Sequence, residues 1–424
     1  MAQLTDDCFA FNGPLLPVDE AERLIAERIA PIDGSESVAL RTASGRVLAG
    51  DVVAPVNVPP FDNSAVDGFA VRHADLAAAG ETRLTVIDRV AAGHAPAHPV
   101  GPGQAVRIFT GAPMPAGADT VFMQEDVRVE SGAVIVPPGL KLGANRRPAG
   151  EDVRAGTVAL PTGRRLAPQH VALAAALGRV DLQVRRRIRV ALFSTGDEIV
   201  EPGAARPQPA LYDANRRLLA ELAGRLGAAV TDLGILPDDP QVLAQAISAA
   251  ASDHDVVLTS GGVSTGEADH VRTAVEQIGR LVFWRVAIKP GRPVAMGVVP
   301  APGGGSGAAF VGLPGNPVAA FITFVRVVRP LLLRLSGALP EPMLALPVRA
   351  GFAYRKKLGR REYVRVTLAR APDGTIEAKK YPQDGAGVIT SLTQTDGLVE
   401  LPEQTTAVEP GATIGFLPYV ALIG

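Results

Sequence analysis

The chain has 424 residues, 47% of them hydrophobic and 20% charged, which is enough apolar text for several buried cores and more than one domain. Lys and Arg number 42 against 43 Asp and Glu, so no basic excess points to nucleic acid and no charge block to a membrane surface. The single cysteine, Cys8, excludes an internal disulfide or a cysteine-built metal site and fits a reducing, cytoplasmic setting. The opening Met1-Ala2-Gln3-Leu4-Thr5-Asp6-Asp7 is acidic, without a signal-peptide apolar run, and the six histidines show no ligand spacing.

In chain order, Val18 to Ala30 reads as a short amphipathic helix. From about Asp51 to Gly143 the text changes to short β runs between Gly and Pro, such as Leu84-Thr85-Val86-Ile87 and Val134-Ile135-Val136. Helical text returns at Pro168 to Leu177, stopped by Gly178. A small β domain (51–143) is therefore expected as an insertion into a discontinuous N-terminal domain, 1–50 with 144–180. From 181 to 335 strands and helices alternate. The strands are at 189–193, 230–235 and 255–259, and helices run from Asn215 to Leu226 and from Pro240 to Ala251, the rhythm of a doubly wound parallel sheet. Pro300 to Gly307 reads as a surface loop between two strands. The apolar helix Val318 to Leu335 contains Arg326, Arg329 and Pro330, so no membrane span is expected. Beyond Ser336, punctuated β text to Gly424 reads as a β barrel. The fold class expected is multidomain α/β plus β.

Four loops carry chemistry. Asp255-Val256-Val257-Leu258 is a buried strand that breaks into Ser260-Gly261-Gly262 and reaches Ser264, Glu267 and Asp269 before a helix from His270 to Ile278. Strand, glycine turn and helix start form the place where backbone N–H groups and the helix dipole favour an anion. Gly261 to Gly266 has P-loop spacing, but Glu267-Ala268 stands where Lys-Ser/Thr would follow. Two carboxylates beside a phosphate site imply a divalent metal; an αL turn with a polar helix cap is the plainer alternative. Ser194-Thr195-Gly196-Asp197-Glu198 ends a second strand in the same way and taken singly is an ordinary turn. Ala287 to Pro293 sets Lys289 and Arg292 on a stiff turn suited to an oxyanion, and equally to solvated cations. Leu313-Pro314-Gly315-Asn316-Pro317 is a rigid turn ahead of a helix.

Taken together with Pro60 to Gly68, Ile108 to Pro113 and Gly150-Glu151-Asp152, these loops occur in one order along nearly the whole chain. The chain so resembles the molybdopterin molybdenumtransferase (MoeA) family, related to the E domain of gephyrin, with a MogA-like sheet domain. The resemblance implies insertion of molybdate into adenylylated molybdopterin with release of AMP, dependent on Mg2+. It implies Glu198 and Asp269 as metal carboxylates and catalytic groups. Ser260, Gly261, Gly262 and Ser264 would cradle the adenylate phosphates, Ser194, Pro314 and Pro317 would also bind substrate, and Lys289 and Arg292 would hold the molybdate, a divalent oxyanion favouring paired cations. Arg292 stands where many relatives carry Lys. Asp67 and Thr110 are the catalytic positions that the inserted domain would bring to a second subunit's crevice, in a homodimer with shared sites. Asp152 and Asp238 match polar positions near the site, though Asp238-Asp239-Pro240 also suits a helix N-cap and first turn. Asp62 and Asn63 suit a turn. In the C-terminal part, Arg360 would reach an oxyanion, and Ala386 stands where relatives often carry Ser.

Two other readings stay open. A pterin adenylyltransferase, with which transient contact is also expected, uses a related sheet domain, but that activity needs none of the other parts. A gephyrin-type scaffold has no need of the acids at Asp67, Glu198 and Asp269.

Overall fold

The computed structural model describes residues 8–9, 15–261, 270–301 and 307–423, except the side chain of Phe283. Gly262, Ser264 and Asp269 lie outside the described residues.

The central sheet has six strands in the order 229–236, 189–195, 256–260, 308–313, 293–299, 280–285. The first four are mutually parallel. Their text is apolar on both faces because both faces are covered. Leu192, Leu258 and Val311 point into one core, and Ala191, Val257 and Phe310 into the other. Strand 293–299 runs antiparallel to both its neighbours, 308–313 and 280–285. This hairpin edge is a departure from an all-parallel sheet, and the turn that joins it carries Lys289 and Arg292.

Helix Val18–Arg28 packs Leu24 and Ile25 into the core that also holds Leu331 and Leu335. By packing, it joins the sheet unit rather than the residues after 34. The long helix before the barrel is continuous in text but not in geometry: Pro317–Thr323 is α-helical, Phe324–Val328 is a π turn, and Arg329–Leu335 is α-helical again. Pro330 has no N–H and its ring crowds the carbonyl of Arg326, so the wider turn sits just before it.

Ser35–Ala39 pairs with Asp181–Arg185, and Val52–Val53 with Val158–Leu160, so segments flanking the central part of the N-terminal region meet again in space. Between them lies a six-stranded sheet in the order 120–123, 68–71, 104–108, 82–90, 133–136, 128–130. At the C-terminal end, strands 361–370, 376–380, 346–350, 413–418 and 397–401 close into a barrel. The two-residue strand Ile288–Lys289 of the sheet unit pairs with Arg361 and Glu362 and extends the barrel sheet.

Candidate functional site

The strand order reverses between 189–195 and 256–260. From the first strand the chain moves to one side of the sheet, from the second to the other. Such a switch point leaves a crevice at the carboxyl ends of the two strands. Gly261 sits there with φ +90, and a Cβ on it would stand 3.1 Å from the carbonyl oxygen of Thr195, so the two loops approach as closely as glycine allows. Asn215, the first residue of helix Asn215–Arg225, donates from its amide to Ser260 Oγ (2.8 Å) and to the Gly315 carbonyl (2.7 Å). Ser260 Oγ also faces the Pro314 carbonyl at 3.5 Å. Three of the four loops singled out in the sequence thus converge, and Pro317 opens the helix behind the third.

Glu198 is exposed at the edge of this crevice. Its carboxylate folds back over Gly196, where a Cβ would lie 2.6 Å from Oε2. Among the described residues this carboxylate accepts no hydrogen bond and forms no ion pair, while the backbone carbonyl of Glu198 accepts from the Leu211 amide at 2.6 Å. Asp238 accepts a hydrogen bond from Thr195 Oγ1 at 3.2 Å. The capping role expected there belongs instead to Asp239, which accepts from the amides of Gln241 and Val242, so Asp238 is left to the crevice. Ser194 is buried, and its hydroxyl has no partner among the described residues.

The fourth loop forms a cation cluster on the other side. Gly291, φ +105, is required by its packing: a Cβ would stand 2.4 Å from Thr323 Oγ1. This sets the turn so that Lys289 Nζ meets Glu362 Oε2 at 3.2 Å. Glu362 is 1% exposed and also accepts from Tyr354 (2.8 Å) and from Arg360 Nε and a terminal nitrogen (3.1 and 2.9 Å). Burial, then the bond to Glu362, pushes the Tyr354 phenol up, so it stays a neutral donor. Lys289 remains 43% exposed and lines a cavity of about 200 Å³ with Pro290, Tyr354, Arg365, Asp384 and Ala386. Among the described residues Arg365, 4% exposed, donates to Ser391 Oγ and the carbonyls of Gln383 and Gly385. Among the described residues it has no ion pair, and burial pulls its pKa down. The backbone N–H of Val318 reaches the Ala386 carbonyl at 3.0 Å, tying the cavity to the proline turn.

Sequence reasoning singles out Lys289 and Arg360 but neither Glu362, which joins them, nor Arg365. The available signal was a charge inside the apolar strand text of 361–370. Arg292 is exposed and takes no part in the Glu362 cluster. Asp152 is exposed. Asp62 holds a turn by accepting from the Ala149 amide.

Asp67 and Thr110 form a separate pair on the inserted sheet. Asp67 Oδ1 accepts from the Thr110 amide (2.8 Å) and hydroxyl (2.7 Å), and these bonds hold its carboxyl below the usual range. No hydrogen bond or ion pair among the described residues links the pair to Glu198, Ser260 or Lys289.

The fold defines a multidomain α/β protein with an inserted β sheet and an appended barrel. Three family patterns match in order: MoeA N-terminal region (domain I and II) over 16–178, probable molybdopterin binding domain over 191–334, and MoeA C-terminal region (domain IV) over 347–419. A molybdopterin molybdenumtransferase of Haemophilus influenzae is 36% identical over 97% of this chain and 100% of its own length. One from a Nostoc species is 35% identical over 95% and 93%. The crystal structure of the molybdopterin biosynthesis moeA protein from Pyrococcus horikoshii superposes with a TM-score of 0.79 at 30% identity, covering 96% of this chain and 100% of that one. The chain belongs to the molybdopterin molybdenumtransferase (MoeA) family.

Proposed function

We propose that the chain inserts molybdenum, supplied as molybdate, into adenylylated molybdopterin and releases AMP. The observation that carries this is the cavity between Lys289 and Arg365, two cations beside the point where three phosphate-type loops converge. A tetrahedral dianion suits two cationic donors, one buried and one half-exposed at its mouth. Ser260, Gly261 and Pro314, with Gly262 and Ser264 beyond them, hold the adenylate end, at a strand-to-helix turn where the helix dipole favours phosphate.

Magnesium fits the donors present, since Glu198 offers an exposed carboxylate with unused oxygens and hard cations take oxygen ligands. Glu198 and Asp269 would hold the ion, which supplies polarisation of a phosphoryl oxygen. Asp238 orients the loop through Thr195. Asp67 and Thr110 act on the crevice of a second copy, giving a homodimer with shared sites. This reading treats the four expected units as working parts, with residues 18–28 moved to the sheet unit. The setting is cytoplasmic, with the adenylyltransferase as transient donor.

The test supplies preformed adenylylated pterin and molybdate and measures AMP release. Turnover without ATP is expected. ATP consumption with free pterin would instead indicate an adenylyltransferase, and inactivity with both a scaffold.

A further inference from the structure

The inserted sheet carries a charged feature that the proposed chemistry has not used. In its register Phe69 stands opposite Arg107, and Arg107 opposite Arg89. The Arg107 guanidinium lies 4.8 Å from the Phe69 ring centre and 5.2 Å from that of Phe109. Arg89 lies 4.8 Å from the same Phe109 ring. Two cations therefore share one phenyl ring. Among the described residues neither forms an ion pair, and the only side-chain bond between them and a polar group runs from Arg107 to Gln124 Oε1. Arg128, on the same sheet, is paired with Glu81. Asp88, beside Arg89, uses its two oxygens on the amides of Arg89 and Ala97.

Adjacent like charges repel, and the ring quadrupole offsets this only in part. A guanidinium over a ring keeps N–H groups at its edge for a tetrahedral oxyanion, here all but the Arg107 nitrogen bonded to Gln124. The shared ring belongs to Phe109, next to Thr110, whose amide and hydroxyl hold Asp67.

We propose that Arg89 and Arg107 form a phosphoryl-binding site beside Thr110, occupied by the phosphoryl end of the adenylylated pterin. The identity of the occupant rests on the function proposed above; the binding of a phosphoryl group does not. The same chemistry could come from free phosphate, and the experiment separates the two. Isotope-labelled full-length protein is titrated with inorganic pyrophosphate while the Phe109 and Thr110 amide resonances are followed. Saturable shifts are expected in the wild type. They should need about tenfold more ligand or worse in R89Q/R107Q, with an unchanged melting temperature. No saturable shift in the wild type, or equal affinity in the double variant, overturns the site. In turnover, R107Q should raise KM for adenylylated pterin about tenfold with kcat within about twofold, and R107K should recover part of the loss. Lost pyrophosphate binding with unchanged KM would mean that free phosphate is the occupant and overturns the substrate assignment. A wild type that turns over no adenylylated pterin sinks the proposed function, while the titration still decides the site.

Discussion

The two sides of the sheet crevice are built on opposite principles. On the cation side, Lys289, Arg360 and Tyr354 are tied to one buried carboxylate, Glu362, and the turn is locked by Gly291. On the acid side, the Glu198 carboxylate is exposed without a partner among the described residues, and Asp238 has a single hydroxyl. Cations fixed before an anion arrives lose little conformational entropy on binding it. Acids left unbonded keep their oxygens for a ligand still to come. Stability and chemistry should therefore separate between the two sides, and substitution can test that.

The largest effect is expected at Glu362. Glu362→Ala leaves two cations and a phenol facing a buried gap, costing on the order of 3 kcal/mol. Urea unfolding should show this together with loss of molybdate use; a variant as stable as the wild type would remove the contrast. Glu198→Gln should do the reverse. Melting should stay within about a degree, because no structural bond is broken, while AMP release falls roughly a hundredfold as an anionic ligand is lost. Joint loss of folding and turnover would make Glu198 structural.

Lys289→Ala should come next, raising the molybdate concentration for half-maximal rate about tenfold or more, with pterin binding unchanged. An unaltered molybdate dependence would take Lys289 out of the site. The smallest effect is on the inserted sheet. The bonds from Thr110 lower the Asp67 pKa below 3.8, so they stabilise the fold above that pH, and the contribution fades as pH falls through the lowered value. Thr110→Val should thus narrow acid tolerance slightly. The difference in urea midpoint from wild type should be constant at neutral pH and vanish in strong acid. A gap that persists there would point to packing rather than to the carboxylate.

Much of this was legible in the sequence because apolar runs ending in glycine encode buried strands and their loops locally. Val256 to Gly261 and Arg189 to Glu198 are examples, and their convergence follows from sheet topology. The antiparallel hairpin of 280–285 and 293–299 was not legible, since apolar periodicity is the same in either direction. Glu362 and Arg365 were missed because Lys289, which ties Glu362 to the oxyanion turn, and Ser391, which receives Arg365, lie 73 and 26 residues away. The capping exchange between Asp238 and Asp239 turns on one residue of backbone geometry, finer than pattern reading resolves.

The placement of helix Val18–Arg28 also has a consequence for biogenesis. It leaves the ribosome ahead of the strands of the sheet unit, yet its apolar face is covered by the helix beginning at Pro317, roughly 290 residues later. At ordinary synthesis rates that is a wait of roughly 15–60 s. During it, Leu24 and Ile25 lack the cover that Leu331 and Leu335 later supply, while the local pairings of the inserted sheet can form as they emerge. The inserted sheet should thus be the first part to resist protease on a nascent chain. The sheet unit, although central in the finished molecule, closes only after its last helix is made, and truncation before Leu335 should leave the opening helix exposed to chaperones.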